Sequence, residues 1–179
     1  MTVLTPVFLR KHFQLDWRGI HGAPHWARVA YNGRLLAREL AGVNVRIVQA
    51  FALCHDLARV NERSDRAHGP RAVALLQRCG GADWLGFSAS EFAELCGAIG
   101  EHTFATSGGT LTQQVCWDAD RLDLWRIDIM PDPDRLFTEA ARELHYQRLC
   151  SAVYCYGNSS FLTVRKSRAI GTVMARSCE

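Results

Sequence analysis

The hydrophobic positions of this chain recur at intervals of three and four residues, the spacing typical of amphipathic α-helices. Pro24 suits the first turn of a helix whose apolar positions continue to Leu40. The next segment, residues 45–58, is apolar at almost every position, which predicts a helix at the centre of a bundle. Ser88 and Glu91 form a capping box that predicts the start of a further helix.

Polar stretches that contain glycine or proline separate the predicted helices, and loops are expected over residues 61–67 and 107–109. Further helices are expected over three segments: about 70–80, about 111–125 and about 138–154. No segment alternates in the way of a β-strand. The chain is therefore predicted to be an all-α bundle of about six or seven helices. It is expected to form a single domain over residues 1–179, with residues 157–179 as a loosely held tail.

The composition is that of a soluble globular protein, with 48% hydrophobic and 22% charged residues. No apolar run approaches the roughly 18 residues of a membrane span, so no membrane association is expected. The net charge of +3 suits a small anionic ligand and is too weak to indicate nucleic acid. The seven cysteines form no CxxC pair, which argues against a disulfide framework or zinc ribbon and predicts a reducing, cytoplasmic location.

An acidic residue interrupts the most hydrophobic segment, where His55 is followed by Asp56. Burying a carboxylate is costly unless it is paired with a charge or bound to a metal ion. An imidazole beside a carboxylate offers two ligands of the kinds that bind transition metals. A buried, hydrogen-bonded His–Asp pair, or a helix end close to the surface, would explain the same dipeptide.

Other histidines fall where they would converge on the same interior site. His25 begins the preceding helix, His68 stands just before a helix, and His102 continues an apolar helical face. Asp118 and Asp120 lie in a later helix, and spacing alone does not choose between them. A mixed set of imidazole and carboxylate ligands suits manganese, iron, cobalt, nickel or zinc.

The order His25, then His55-Asp56, then Asp120 within the run A-D-R-L resembles the HD-domain superfamily of metal-dependent phosphohydrolases. The resemblance extends over residues 20–127. It implies an HD-domain-like helical bundle around a buried metal site, with those four residues as the ligands, and the A-D-R-L run selects Asp120. It also implies metal-dependent hydrolysis of a small phosphate ester, with nucleotides among the candidate substrates.

Two-metal members of the superfamily carry extra histidines between the His-Asp pair and the last aspartate, an order that His68 and His102 occupy here. The resemblance thus implies one or two divalent ions, with Asp56 bridging a pair. The interval of 13 residues from His55 to His68 (68 minus 55) is short, so the intervening loop must fold back over the site. Arg59 replaces a lysine common in the cyclic-dinucleotide branch, and a Gly-Tyr-Pro run is absent, so a cyclic dinucleotide is not expected.

Further residues are assigned to the reaction because they are close in sequence to the implied ligands. The catalytic candidates are Asp56, Arg59 and Asp118. The phosphate-binding candidates are Arg28, Arg63, Arg66 and Arg121. His21 and Asp123 are candidates for contacts behind the ligands. Two alternatives stay open: a di-iron oxidase or oxygenase of the same superfamily, and a non-enzymatic regulator with a metal-stabilised HD fold.

Overall fold

The computed structural model describes residues 3–156, with side chains as far as Ser151. Within that range every regular element is a helix, which confirms the all-α prediction. The α-helices in chain order are α1 (Pro6–His12), α2 (Ala23–Glu39), α3 (Val45–Cys54), α4 (His68–Arg78), α5 (Gly81–Leu85), α6 (Ala89–Glu101), α7 (Leu111–Arg121) and α8 (Glu139–Tyr156). Two 3₁₀ turns, Leu124–Ile127 and Pro133–Arg135, lie between α7 and α8.

The chain divides into two compact units, Met1–His145 and Tyr146–Glu179. The first unit contains α1 to α7, and of the second unit the structure describes only the last turns of α8. The predicted tail, residues 157–179, lies outside the described residues, and the single domain over residues 1–179 stays a prediction. Among residues 3–156, no helix combines the length and hydropathy needed to cross a membrane.

Helix α3 lies at the centre of the bundle, as its uniform hydrophobicity predicts. It packs against α2, α6 and α7, and the side chains of Ile47, Val48 and Phe51 are completely buried. Helices α2 and α7 also pack on each other, while α4 packs on α6. The side chain of Asn44 accepts hydrogen bonds from the first amides of α3 and so fixes where the helix starts. The C-terminal end of α3 lies in the apolar interior, where Phe51 and Cys54 are completely buried.

Helix α3 ends at Cys54, earlier than predicted, so His55 and Asp56 lie in the turn that follows it. The chain tightens there, because the amide of Leu57 donates to the carbonyl of Cys54 and that of Arg59 to Asp56, each at 3.1 Å. Both residues of the His-Asp pair are nevertheless buried, His55 at 0% exposure and Asp56 at 2%. The carboxylate that is costly to bury therefore does lie in the core.

Other element boundaries differ from the prediction by a few residues. Helix α4 begins at His68 rather than Pro70, and α7 ends at Arg121 where a longer helix was predicted. The capping box of Ser88 and Glu91 is confirmed. Helices α1 and α5 were not predicted, since their seven and five residues are too few for a periodic pattern to repeat.

A glycine sets the distance between α4 and α6. A Cβ atom on Gly69 would lie 2.4 Å from the carbonyl oxygen of Ile99, far inside contact distance. Because the obstacle is backbone, it cannot rotate aside, and only glycine allows the start of α4 to approach the end of α6 so closely. His68 and His102 lie next to this crossing, one on each helix end.

We expect Gly69→Ala to lower the free energy of unfolding by about 1–3 kcal/mol, because the added methyl group overpacks a backbone contact. Gly100→Ala is the matched control, since a Cβ at that position of α6 meets nothing within 4 Å. It should be neutral or stabilise by about 0.4–1 kcal/mol. Urea unfolding followed by circular dichroism measures both, and equal stabilities would show that the crossing tolerates a side chain at residue 69.

Candidate metal centre

Six polar side chains from five helices or their ends meet in the interior of the bundle. They are His25 in the first turn of α2, His55 and Asp56 after α3, His68 at the start of α4, His102 at the end of α6 and Asp120 in the last turn of α7. The four histidines and Asp56 are buried, while the side chain of Asp120 is 20% exposed. Residues far apart in sequence thus form one cluster.

His25, His55 and Asp56 form the first group of potential ligands. The Nε2 atoms of the two histidines are 3.0 Å apart, and Asp56 Oδ2 lies 3.6 Å from His25 Nε2 and 3.7 Å from His55 Nε2. Asp120 Oδ1 lies 3.3 Å and 3.6 Å from the same two nitrogens. The structure therefore brings together the four residues that the resemblance implies as ligands, and their binding of a metal stays a prediction.

Asp56, His68 and His102 form a second group. The Nε2 atoms of His68 and His102 are 2.7 Å apart, and Asp56 Oδ1 lies 3.1 Å and 4.0 Å from them. Asp56 directs its other oxygen, Oδ2, toward the first group. One carboxylate therefore faces both groups, which is the arrangement of a bridging ligand.

Each of the four imidazoles is oriented by a hydrogen bond at its other ring nitrogen, Nδ1. The pairs are His25 with the Asp123 carboxylate at 2.7 Å, His55 with the Phe51 carbonyl at 3.2 Å, His102 with the Ile99 carbonyl at 2.7 Å, and His68 with the Asp65 carbonyl. Every partner is an acceptor, so the proton resides on Nδ1. Each Nε2 consequently presents a lone pair to the cluster, as in metal-binding histidines.

The six clustered side chains thus present only acceptor atoms to one another, and the donor beside them is Arg59 Nη1, 3.4 Å from Asp56 Oδ1 and 3.5 Å from His68 Nε2. Lone pairs of His25 and His55 face each other at 3.0 Å, and those of His68 and His102 at 2.7 Å, with carboxylates beside both. Without a cation, each contact needs a proton on one imidazole, and burial disfavours that charge. A divalent metal ion in each ligand group would satisfy the lone pairs and carboxylate oxygens of that group. Imidazole with carboxylate is a donor set for transition metals. The residues present therefore fit such an ion.

Burial and neighbouring charges shift the pKa values of these groups in different directions. Burial lowers the pKa of His55 to about 4. Burial also opposes ionisation of Asp56, but the imidazoles around it outweigh that effect and hold its pKa well below the usual range. For His25, burial lowers the pKa, whereas hydrogen bonds to Asp120 and Asp123 raise it by more. The carboxylates are thus ionised, and the His55 imidazole is neutral at physiological pH.

Asp118 was predicted as a catalytic residue, and the structure places it elsewhere. Its carboxylate accepts hydrogen bonds from the amides of Phe137 and Thr138 at 2.7 and 2.8 Å, and from the Thr138 hydroxyl at 2.8 Å. Three donors satisfy this buried carboxylate, so it fastens the chain before α8 to α7. These contacts give Asp118 a structural role, and a part in catalysis stays a prediction.

The cluster opens into a cleft of about 880 Å³, a usual size for a small-molecule site. Four of the six clustered residues line it: Asp56, His68, His102 and Asp120. Five arginines line the same cleft: Arg59, Arg63, Arg121, Arg126 and Arg135. Five carboxylates line it as well, two from the cluster and three others: Asp56, Asp120, Glu62, Asp132 and Asp134. The arginines therefore offer local hydrogen-bond donors rather than an excess of positive charge.

Arg28 and Arg66, also predicted to bind phosphate, lie outside the lining of this cleft. Arg28 Nε donates to the Asp123 carboxylate at 2.6 Å. The Arg66 guanidinium lies 4.9 Å from the ring centre of Phe104. Both were chosen because they are close in sequence to a ligand, and the structure does not bring their side chains to the cleft with the other arginines. Phosphate binding by these two residues stays a prediction.

Arg59, the remaining catalytic candidate, supports the bridging carboxylate. Its Nη1 lies 3.4 Å from Asp56 Oδ1, and its Nη2 donates to the carbonyl of Arg63 at 2.8 Å. Arg59 is only 8% exposed, whereas Arg63 is exposed. The buried guanidinium therefore ties the loop over residues 61–67 to the cluster, and the loop folds back over the site as its short length requires.

Several contacts at the site were not specifically predicted. Asp123 was only one of several candidates for a contact behind the ligands, although its spacing of three residues from Asp120 places both carboxylates on one side of the chain. Arg126, which donates to the carbonyl of Ile20 at 2.7 Å, and Arg135 were not singled out. Arg126 follows the A-D-R-L run and Arg135 lies beyond residue 127, and no sequence pattern points either of them to the cleft.

Comparisons with known proteins agree with this geometry. The HD domain family model matches residues 23–125, more than half of the chain. The protein therefore belongs to the HD domain family. A crystal structure of a predicted HD superfamily hydrolase from an uncultured Thermotogales bacterium is similar, with 27% sequence identity and a TM-score of 0.62, covering 87% of this chain and 88% of that one. No curated protein matches the chain.

We expect Asp123→Asn to weaken metal binding by about 10–100-fold. The neutral amide accepts the His25 hydrogen bond more weakly and leaves Arg28 without its carboxylate partner. Isothermal titration of the metal-free protein with manganese measures the affinity. Asp83→Asn, an exposed aspartate of α5, is the matched control and should bind as the wild type does. Unchanged affinity in Asp123→Asn would contradict the role of this carboxylate in orienting His25.

Proposed function

We propose that this protein is a metal-dependent hydrolase of small phosphate esters. The observation that carries the proposal is the acceptor-only cluster at the base of a cleft lined by arginines. Membership of the HD domain family, and the likeness to a predicted HD superfamily hydrolase, support the hydrolase class. The arginines support a phosphate ester as the substrate, because guanidinium groups pair well with phosphate oxygens.

The two groups of ligands define where ions would be held. The first ion is expected at His25, His55, Asp56 and Asp120, and a second at Asp56, His68 and His102. A divalent ion there would supply Lewis acidity, which polarises a phosphoryl oxygen and makes water acidic enough to act as a nucleophile near neutral pH. The neutral His55 imidazole, with the lone pair of its Nε2 directed to the cluster, is the form that such an ion requires.

The side chains of the cleft would bind and orient the substrate. Arg63 is exposed at the cleft and stands on the loop that Arg59 holds in place, so it is our first candidate for the phosphate oxygens. Arg121 donates to the carbonyls of Arg135 and Ala105 and thereby connects two walls of the cleft. We therefore assign Arg63 to substrate binding, and Arg59 and Arg121 to positioning.

The protein loaded with manganese, cobalt or nickel should release phosphate from p-nitrophenyl phosphate or from nucleotides, and a chelator should abolish the reaction. His55→Ala should lower turnover by about 100-fold or more, since it removes a ligand from the first group. His12→Ala, a histidine of α1 outside the cluster, is the matched control and should retain activity.

Phosphate release measured across these esters and metals decides between the hydrolase and its two alternatives. Binding of metal without turnover of any ester would favour the regulator. Consumption of dioxygen by the iron-loaded protein, again without phosphate release, would favour the di-iron oxygenase.

His68→Ala should lower the bound metal by about one equivalent if two ions bind, because only two potential ligands of the second group would remain. Elemental analysis after exhaustive dialysis measures the stoichiometry, with His12→Ala again as the control. An unchanged metal content with a raised KM would make His68 a substrate contact. An unchanged metal content and an unchanged KM would remove it from the site.

A further inference from the structure

One wall of the cleft lies beyond the part of the chain that matches the HD domain. The match ends at residue 125, whereas residues 127–135 follow it and contribute side chains to the cleft lining. We name this segment the outer wall. Its cleft-lining members are Ile127, Ile129, Met130, Asp132, Asp134 and Arg135. What the outer wall contacts is therefore a property of this chain rather than of the matched domain.

Three of the six cleft-lining members of the outer wall are charged and three are apolar, and two of the apolar side chains are exposed in the part of the chain that the structure describes. Ile129 is 49% exposed and Met130 is 41% exposed, and both line the cleft. Phe104 and Ile20, at 49% and 41% exposure, line the same cleft. Single exposed apolar residues are ordinary, but four that line one cleft beside a polar cluster form a surface that a ligand would gain by covering.

The backbone of the outer wall is held in an unusual conformation. Asp128 has a φ of 58°, the only positive φ at a non-glycine residue among residues 3–156. Aspartate adopts this left-handed conformation more readily than most residues, and here it ends the 3₁₀ turn Leu124–Ile127, with its amide donating to the carbonyls of Leu124 and Trp125. The residues on either side of it, Ile127 and Ile129, both line the cleft. The turn at Asp128 thus places the side chains of Ile127 and Ile129 in the lining of the same cleft.

Helix α7 fastens the far end of the outer wall. Arg121 Nη1 donates to the carbonyl of Arg135 at 3.0 Å, and the carboxylate of Asp118 accepts hydrogen bonds from the amides of residues 137 and 138. These two anchoring residues flank Asp120, which belongs to the candidate metal centre. The apolar surface is therefore held at a fixed place relative to the cluster, as a specificity surface must be.

We propose that the outer wall binds the leaving group of the phosphate ester and that this group is apolar and about the size of an aromatic ring. The proposal rests on the proposed function. With the phosphate at the cluster and Arg63, the organic part of the ester extends along the cleft toward Ile129, Met130 and Phe104. A small alkyl group leaves most of this surface in water, whereas an aromatic ring covers it. Esters of aromatic or benzylic alcohols are therefore the preferred substrates.

The test compares benzyl phosphate with ethyl phosphate, whose leaving alcohols have similar acidity, so that a difference in rate reports binding of the organic group. The metal-loaded protein should show a kcat/KM about tenfold or more higher for benzyl phosphate. The double substitution Ile129→Ser with Met130→Ser should remove most of this preference and affect ethyl phosphate less. The matched control replaces Val7 and Tyr31 with serine, because they are 79% and 53% exposed and lie outside the cleft.

Calorimetric binding of benzylphosphonate and ethylphosphonate separates this proposal from the proposed function. Equal turnover of both esters, with equal binding of both phosphonates, would overturn the leaving-group site and leave the hydrolase standing. Tighter binding of benzylphosphonate without any turnover, lost in the double variant, would support the apolar site and overturn the hydrolase. Binding of neither phosphonate, with no turnover, would overturn both.

Discussion

The interaction on which this structure depends is the meeting of lone pairs in an apolar interior. His25 and His55 approach each other by their acceptor nitrogens, as do His68 and His102, and the carboxylate of Asp56 lies between the two pairs. The bundle gains nothing from burying acceptors that face acceptors. A cation converts this mutual repulsion into coordination, and an ion that binds only the folded chain also stabilises it. The same imidazole nitrogens and carboxylate oxygens would therefore bind the ion and make the stability of the fold depend on it.

The ends of the helices supply what these ligands need. The last carbonyls of an α-helix have no partner within the helix, and they carry partial negative charge. The carbonyl of Phe51, in the last turn of α3, accepts from His55, and that of Ile99, in the last turn of α6, accepts from His102. Each of these histidines thus uses a carbonyl in the last turn of its own helix to fix its tautomer, and the Phe51 carbonyl also accepts from the amide of His55 at 2.9 Å. Gly69 then allows α4 to bring in its own histidine at close range.

The sequence was sufficient to predict what depends on local pattern. Periodicity predicted the central α3, and a capping box predicted the start of α6 at Ser88. The sequence was insufficient where the direction of a side chain depends on a partner that is far away along the chain. Arg28 donates to Asp123, 95 residues further on, and Asp118 accepts from backbone amides beyond residue 136, and nearness to a ligand in sequence predicts neither contact. The early end of α3 likewise follows from tight turns that composition does not reveal.

Helix α7 shows how one short stretch serves three parts of the molecule. Successive residues of an α-helix point in directions about 100° apart. Asp118 therefore faces the chain before α8, Asp120 faces the histidines, and Arg121 reaches the outer wall. The matched domain ends just after this helix, at residue 125, and the outer wall begins at residue 127. The far end of the outer wall and the carboxylate of Asp120 are therefore held by the same turn of α7.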